Sequence, residues 1–145
     1  MKGVPLLTDP LSSAPKSAFL AGTLAALGKR RRAIRHKVSS IAVEKVLERT
    51  STDEHDKLEI FATVGAARLR LFVWDDRRVF IDARTPTKTS GWAWEFSYQG
   101  RMAVSEPRFL IEAFEQSIDA VAAQSGDALD GVWKPLLATG PRPAG

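Results

Sequence analysis

Residues 57–84, KLEIFATVGAARLRLFVWDDRRVFIDAR, decide the fold that this sequence predicts. Apolar residues occupy every second position over most of the stretch, which is the period of β-strands with one buried face. Gly65-Ala66 and Asp75-Asp76-Arg77 interrupt the alternation, and both are typical of hairpin turns. Loops this short join antiparallel strands, because a parallel crossover needs a dozen or more residues. The predicted strands are 57–64, 67–74 and 78–84.

The sequence on either side of this stretch adds one or two strands and two helices. WAWEFSY at 92–98 predicts a fourth strand, and RMAV at 101–104 a short fifth, after a turn at Gln99-Gly100. Apolar residues at helical spacing predict a helix over 17–49, with a bend or break at Gly28. A second helix is predicted over 105–125, ended by Gly126.

Together these elements predict a single α+β domain. It has a long N-terminal helix, a four- to five-stranded antiparallel meander sheet and then a C-terminal helix. Three further segments are an extended arm at 1–16, a polar turn at 50–56 (TSTDEHD) and a tail at 127–145. An apolar patch in that tail is expected to dock on the domain, because an exposed Trp with several Leu favours aggregation.

The composition excludes some protein classes. The 145-residue chain is 44% hydrophobic and 26% charged, which is typical of one folded domain. It has no Cys, so neither a disulfide framework nor a thiolate metal site is expected. No apolar run reaches the roughly 18–20 residues that cross a bilayer, so a membrane partner is not expected. The predicted location is cytoplasmic and nucleoid-associated. The alternative is an organelle, because residues 1–40 are poor in acids, as targeting segments are.

Positive charge is concentrated near the N-terminus. Residues 1–40 contain eight Lys or Arg and one acid, Asp9. Such a segment suits a polyanion, whose bound counterions are released when its phosphates are neutralised. The alternative is the solvated face of a basic helix. The candidate phosphate-binding residues, from KRRRAIRHK at 29–37, are Lys29, Arg30, Arg31, Arg32, Arg35 and Lys37.

One predicted face of the sheet alternates arginines with aromatic rings. Rings on a sheet stack with unpaired bases at about 1–3 kcal/mol per base, and guanidinium groups meet phosphates. The alternative is a second core layer, in which the N-terminal helix covers the rings through Leu20, Leu24, Leu27 and Ile34. The aromatic ladder of the predicted fourth strand has three possible roles, as part of the core, of a subunit interface or of a ligand contact. Its residues are Trp92, Trp94, Phe96 and Tyr98. The residues of the Arg/aromatic face are Phe61, Arg68, Arg70, Phe72, Trp74, Arg78, Phe80 and Arg84.

Residues 67–84 and GRMAVSEPRFLIEAFEQSIDAV at 100–121 resemble the single-stranded-DNA-binding coactivator positive cofactor four and the related Whirly proteins. The resemblance covers about 55 residues and implies four antiparallel strands followed by a helix, in a homodimer built on the C-terminal helices. It also implies DNA binding along basic strand positions that match Arg68, Arg70, Arg77 and Arg78, with Arg84 and Arg101 at strand ends. Two features depart from this family. The stretch 85–98 is longer than the family predicts, and a helix is predicted at the N-terminus, where some members have a flexible leader.

The sequence contains no recognisable catalytic motif. His36 and His55 have no partner at catalytic or metal spacing, and DEHD at 53–56 favours a polar turn over a cation site. Glu112, Glu115 and Asp119 share one helix face, where carboxylates are usually solvated. A Gly-rich phosphate loop and a nucleophile elbow are both absent, so neither an enzyme nor a cofactor is expected.

Two functions remain as hypotheses. The first is a single-stranded DNA- or RNA-binding protein, dimeric or larger, such as a transcription or DNA-processing factor. The second is a non-enzymatic protein-interaction or assembly component, such as a phage, plasmid, inhibitor or adaptor protein.

Overall fold

A computed structural model describes residues 17–86 and 91–138. Within them the chain is α+β, with six strands in one antiparallel sheet in which each strand lies beside its neighbours in the sequence. The predicted class and meander are therefore confirmed, with one more strand and one more helix than expected. The arm at 1–16, residues 87–90, the side chain of Trp92 and the end of the tail lie outside what the structure describes. The elements are α1 (Ala18–Arg35), β1 (Ser40–Arg49), β2 (Glu54–Val64), β3 (Ala67–Trp74), β4 (Arg78–Pro86), β5 (Trp92–Met102), α2 (Arg108–Ala122), α3 (Gly126–Trp133) and β6 (Leu137–Ala138).

The N-terminal helix is shorter than predicted. Ser17 caps α1 by accepting a hydrogen bond from the Leu20 amide, and the helix ends at Arg35 instead of Arg49. The residues after it form β1, which pairs with β2 along its whole length. The prediction of a helix to Arg49 was wrong because Ile41 and Val43, which pack against the core, also fit the alternation of a strand, and pairing with a neighbouring strand decides such ambiguous stretches.

Two predicted turns lie inside strands. β2 begins at Glu54, so the polar turn contains only residues 50–53, closed by a 2.9 Å hydrogen bond from the Asp53 amide to Thr50 Oγ1. β5 continues through Gln99-Gly100 because Gly100 lies opposite Val79 in the β4–β5 register. RMAV is therefore not a fifth strand of its own.

The C-terminal region folds back onto the domain. α2 ends at Ala122, and Gly126 begins α3 instead of ending the previous helix, because the Ser125 hydroxyl caps α3 by accepting from the Ala128 amide. Trp133 is fully buried and donates its indole N–H to Ser117 Oγ over 2.8 Å. Docking of the apolar patch is thus confirmed.

The helices share a single face of the sheet. α1 packs beside α2, and α2 contacts β2 and β3. At Gly22 a Cβ would lie 2.6 Å from Pro107 Cγ, so α1 approaches the start of α2 at a position without a side chain. None of the described helices is long and apolar enough to span a membrane. The core between the layers includes Leu20, Leu27 and Ile34 of α1, Leu58 and Ile60 of β2, Leu69 and Leu71 of β3, Ile81 of β4, and Leu110, Ile111 and Phe114 of α2.

Candidate functional site

Four aromatic side chains lie together on the sheet face opposite the helices, and we call them the ring cluster: Phe61, Phe72, Trp74 and Phe80. The β3–β4 register places Phe72 directly opposite Phe80, with ring centroids 5.8 Å apart. Phe61 and Trp74 meet the Phe72 ring edge-on, at 5.9 and 6.3 Å. Strand alternation alone brings these rings to one face, since each follows or precedes a core residue.

The described helices do not cover the ring cluster. All four rings are half-buried, and none of them packs against the buried core. Leu20, Leu27 and Ile34, which were candidates to cover the rings, are instead buried in the core on the other side of the sheet. The alternative in which the N-terminal helix covers this face through those residues is therefore wrong.

Trp94, Phe96 and Tyr98 belong to the helix side of the sheet. They are half-buried against the core, and the Phe96 and Tyr98 rings stack with centroids 6.3 Å apart. The register explains the placement, since Tyr98 lies opposite the buried Ile81.

Cations lie over the rings of the cluster. Lys57 Nζ is 4.7 Å from the Phe72 centroid, and the Arg78 guanidinium is 4.7 Å from that of Trp74. Arg70 lies 5.3 Å from Phe72 and 5.9 Å from Phe80. At these distances the ring quadrupoles attract the cations.

The same cations are already paired with carboxylates. Lys57 Nζ lies 2.7 Å from Glu59, Arg70 Nη2 lies 2.8 Å from Asp82, and Arg78 Nε lies 2.9 Å from Asp76. Burial opposes ionisation of Asp76, but the hydrogen bonds and charge of Arg78 outweigh it and lower the pKa of that carboxyl group. The centre of the face is therefore close to electrically neutral.

Three arginines line a recess at one end of the ring cluster. Its volume is about 350 Å³, and Phe61 forms one wall. Asp82, only 2% exposed, accepts hydrogen bonds from Arg70 Nη2 at 2.8 Å and from Arg84 Nε at 3.3 Å. Arg68 lies opposite Arg84, is exposed, and has no ion pair within the described residues. We call this the arginine recess: Arg68, Arg70, Arg84 and Asp82.

Two other predicted arginines occupy different places. Arg101 lies opposite Arg78 and donates to the Asp76 carbonyl oxygen over 2.7 Å, so it borders the ring face. Arg77 adopts a left-handed φ of 74° and reaches the helix side. There its Nη2 donates to the Val104 carbonyl over 2.8 Å, and its guanidinium lies 4.9 Å from the Phe19 ring.

The cations of residues 29–37 lie in the helical layer, away from the ring cluster. Arg30 makes a two-point contact with Glu115, at 2.9 and 2.8 Å, and Lys37 lies 3.4 Å from Asp119. The hydrogen bond from Arg30 lowers the pKa of Glu115, which is a clamp between α1 and α2 rather than a solvated carboxylate. The structure thus divides the predicted site residues between two sides of the molecule.

A histidine and two aspartates meet where β2 begins. His55 Nδ1 lies 2.7 Å from Asp75 Oδ1, and Asp75 Oδ2 accepts from the Asp56 amide over 2.8 Å. One ligand atom from each of His55, Asp75 and Asp76 lies within 4.8 Å of the others. Arg78 and Arg101 already neutralise Asp76, which disfavours a cation here. The cluster holds the β3–β4 turn against β2. Sequence reasoning missed it because the partners are about 20 residues apart.

Comparison with protein-family models, with curated proteins and with solved structures found no match to this chain.

Proposed function

We propose that the ring cluster and the arginine recess bind single-stranded DNA or RNA. The observation that carries the proposal is a sheet face with four contacting rings, three neighbouring cations and an arginine-lined recess, which no described helix covers. Unpaired bases stack on such rings, whereas bases in a duplex are not free to do so. The same ligand would place the protein at the nucleoid or at another cellular site of single strands.

Stacking supplies most of the expected affinity. Two stacked bases contribute at most about 2–6 kcal/mol, reduced by the cation–π contacts that they displace from Phe72 and Trp74. An arginine that exchanges a carboxylate for a phosphate gains little, because one ion pair replaces another. Arg68 is the cation of the arginine recess that offers a phosphate contact without breaking a carboxylate pair in the described structure.

Tryptophan fluorescence tests the proposal directly. A short oligothymidylate titrated into the protein at low salt is expected to quench Trp74, and Trp74→Phe should retain binding by gel shift while most of the quenching is lost. Arg68→Glu is expected to weaken binding about ten-fold or more. Lys134→Glu, with the same charge change at the exposed end of α3, is the matched control and should bind like the wild type. A wild-type protein that shows neither quenching nor a gel shift at low salt contradicts the proposal.

The balanced charges favour a second candidate, a protein partner on the same face. An apolar centre bordered by paired charges is the usual pattern of protein–protein interfaces. A second copy of the chain is one such partner, although the homodimer that the family resemblance implies uses the C-terminal helices and therefore the other side of the sheet. In that case the complex survives nuclease and high salt, and oligonucleotides do not displace the partner.

A further inference from the structure

The cations of α1 fall into two groups. Arg30 is bound by the carboxylate of Glu115 on α2, and Lys37, just beyond α1, lies near Glu115 and Asp119. The other group has no ion pair with any described residue. It consists of Lys29, Arg31, Arg32 and Arg35, of which Arg31 is half-buried and the rest are exposed. We call these four residues the α1 cations.

The local sequence contains nothing that neutralises the α1 cations. No Asp or Glu occurs between Asp9 and Glu44. Lys29, Arg32 and Arg35 follow one another at three-residue spacing, so their Cβ atoms lie about 5–6 Å apart along one helix face. The carbonyl end of α1 offsets only about half a charge. Lys29 shares a groove with carboxylates of α2, among them Glu112, whereas Arg31, Arg32 and Arg35 lie outside that groove. The surface of these three arginines is therefore expected to attract anions more strongly than the ring face, where cations and carboxylates are paired.

The helix that carries the α1 cations and the ring cluster lie on opposite sides of the sheet. α1 packs beside α2 on the core face of the sheet, and the ring cluster lies on the other face. A helix is about 10 Å across and packed layers are about 10 Å apart, so the thickness of protein between them is roughly 20 Å. A short single strand confined to the rings is therefore not expected to contact the α1 cations.

We propose that the α1 cations form a second nucleic-acid site, and that one protein molecule thereby bridges two nucleic-acid segments. This inference rests on the proposed function of the ring face. The second site contacts the phosphodiester backbone without reading bases, because it offers cations and no ring, and a duplex satisfies it as well as a single strand. Its affinity falls steeply with salt, whereas that of the ring face does not.

A capture assay tests the bridge. Beads carrying a short oligothymidylate are loaded with protein and exposed to a fluorescent blunt duplex, which wild-type protein is expected to retain. The triple variant Lys29→Gln, Arg32→Gln, Arg35→Gln should lose at least ten-fold in duplex retention and keep the Trp74 quenching. Its control, Arg49→Gln, Arg108→Gln, Lys134→Gln, removes the same charge from exposed positions outside the α1 cations and should retain the duplex.

A second measurement separates the two sites. Fluorescence anisotropy of the duplex with free protein reports the α1 cations alone, and the slope of log affinity against log salt should fall by about 3 in the triple variant. Arg68→Glu should keep duplex binding in solution yet lose capture on the beads. Duplex binding without Trp74 quenching means that the proposed ring site fails while the α1 site holds. A triple variant that binds duplex like the wild type, or a protein that binds anionic vesicles but no duplex, overturns the inference.

Discussion

At the scale of single residues, Asp82 controls how much charge the arginine recess offers. Asp82→Asn keeps the side-chain shape and frees Arg70 and Arg84 from their carboxylate. We expect the free energy of unfolding to fall by about 1–3 kcal/mol, below the usual cost of breaking a buried pair because both arginines are about a third exposed. Oligonucleotide affinity should rise several-fold, as measured by Trp74 quenching beside urea unfolding. A folded variant with unchanged or weaker affinity contradicts a phosphate site in the recess.

His55 makes stability depend on pH. The hydrogen bond to Asp75 raises the pKa of His55 in the folded state above its ordinary value of 6.5, despite the opposing effect of burial. The stabilisation is therefore complete below pH 6.5 and is lost as the pH rises through the higher folded-state pKa. Urea unfolding between pH 5.5 and 8.5 should show this decline in the wild type and a weaker one in His55→Gln. His36→Gln alters an exposed histidine and should follow the wild-type curve. Identical curves for wild type and His55→Gln would refute the assignment.

At the scale of elements, alanine substitutions at two glycines of α1 are expected to change the stability in opposite directions. Gly22→Ala places a Cβ 2.6 Å from Pro107 Cγ, so α1 must shift, and we expect a loss of about 1–3 kcal/mol. Gly28→Ala meets no atom within 4 Å and should gain about 0.5–1 kcal/mol from helix propensity. Thermal unfolding of the two variants measures both. Equal effects at the two positions would mean that α1 does not pack on the start of α2.

Sequence periodicity identified most of the sheet, because β2, β3 and β4 alternate strictly and their hairpin turns are short. It failed where one pattern fits two periods, as between Val38 and Arg49, and where a glycine continues an element instead of ending it, as Gly100 does in β5. The ring cluster was predictable from alternation. The carboxylates that neutralise it were not, because Asp82 meets Arg70 only through the β3–β4 register.

At the scale of the whole molecule, the position of α1 relative to the sheet was not predictable from the sequence. Its apolar stripe fits either face of the sheet, and the close approach of Gly22 to Pro107 depends on α2, some 85 residues away. Packing against α2 directs α1 to the core face, which leaves the ring face free of described helices and puts the uncompensated cations on the opposite side.

This separation predicts two salt dependences in one protein. A short oligothymidylate that covers only the rings and the arginine recess displaces counterions from one or two phosphates, so the slope of log affinity against log salt should lie near −1, at about −0.7 per phosphate. Trp74 quenching between 25 and about 250 mM salt measures it, with the α1 triple variant as control. Because the α1 cations lie on the opposite side of the sheet, wild type and variant should give the same shallow slope. A wild-type slope steeper than about −3 that the triple variant flattens would mean that a short strand reaches α1, and that the two surfaces act as one site.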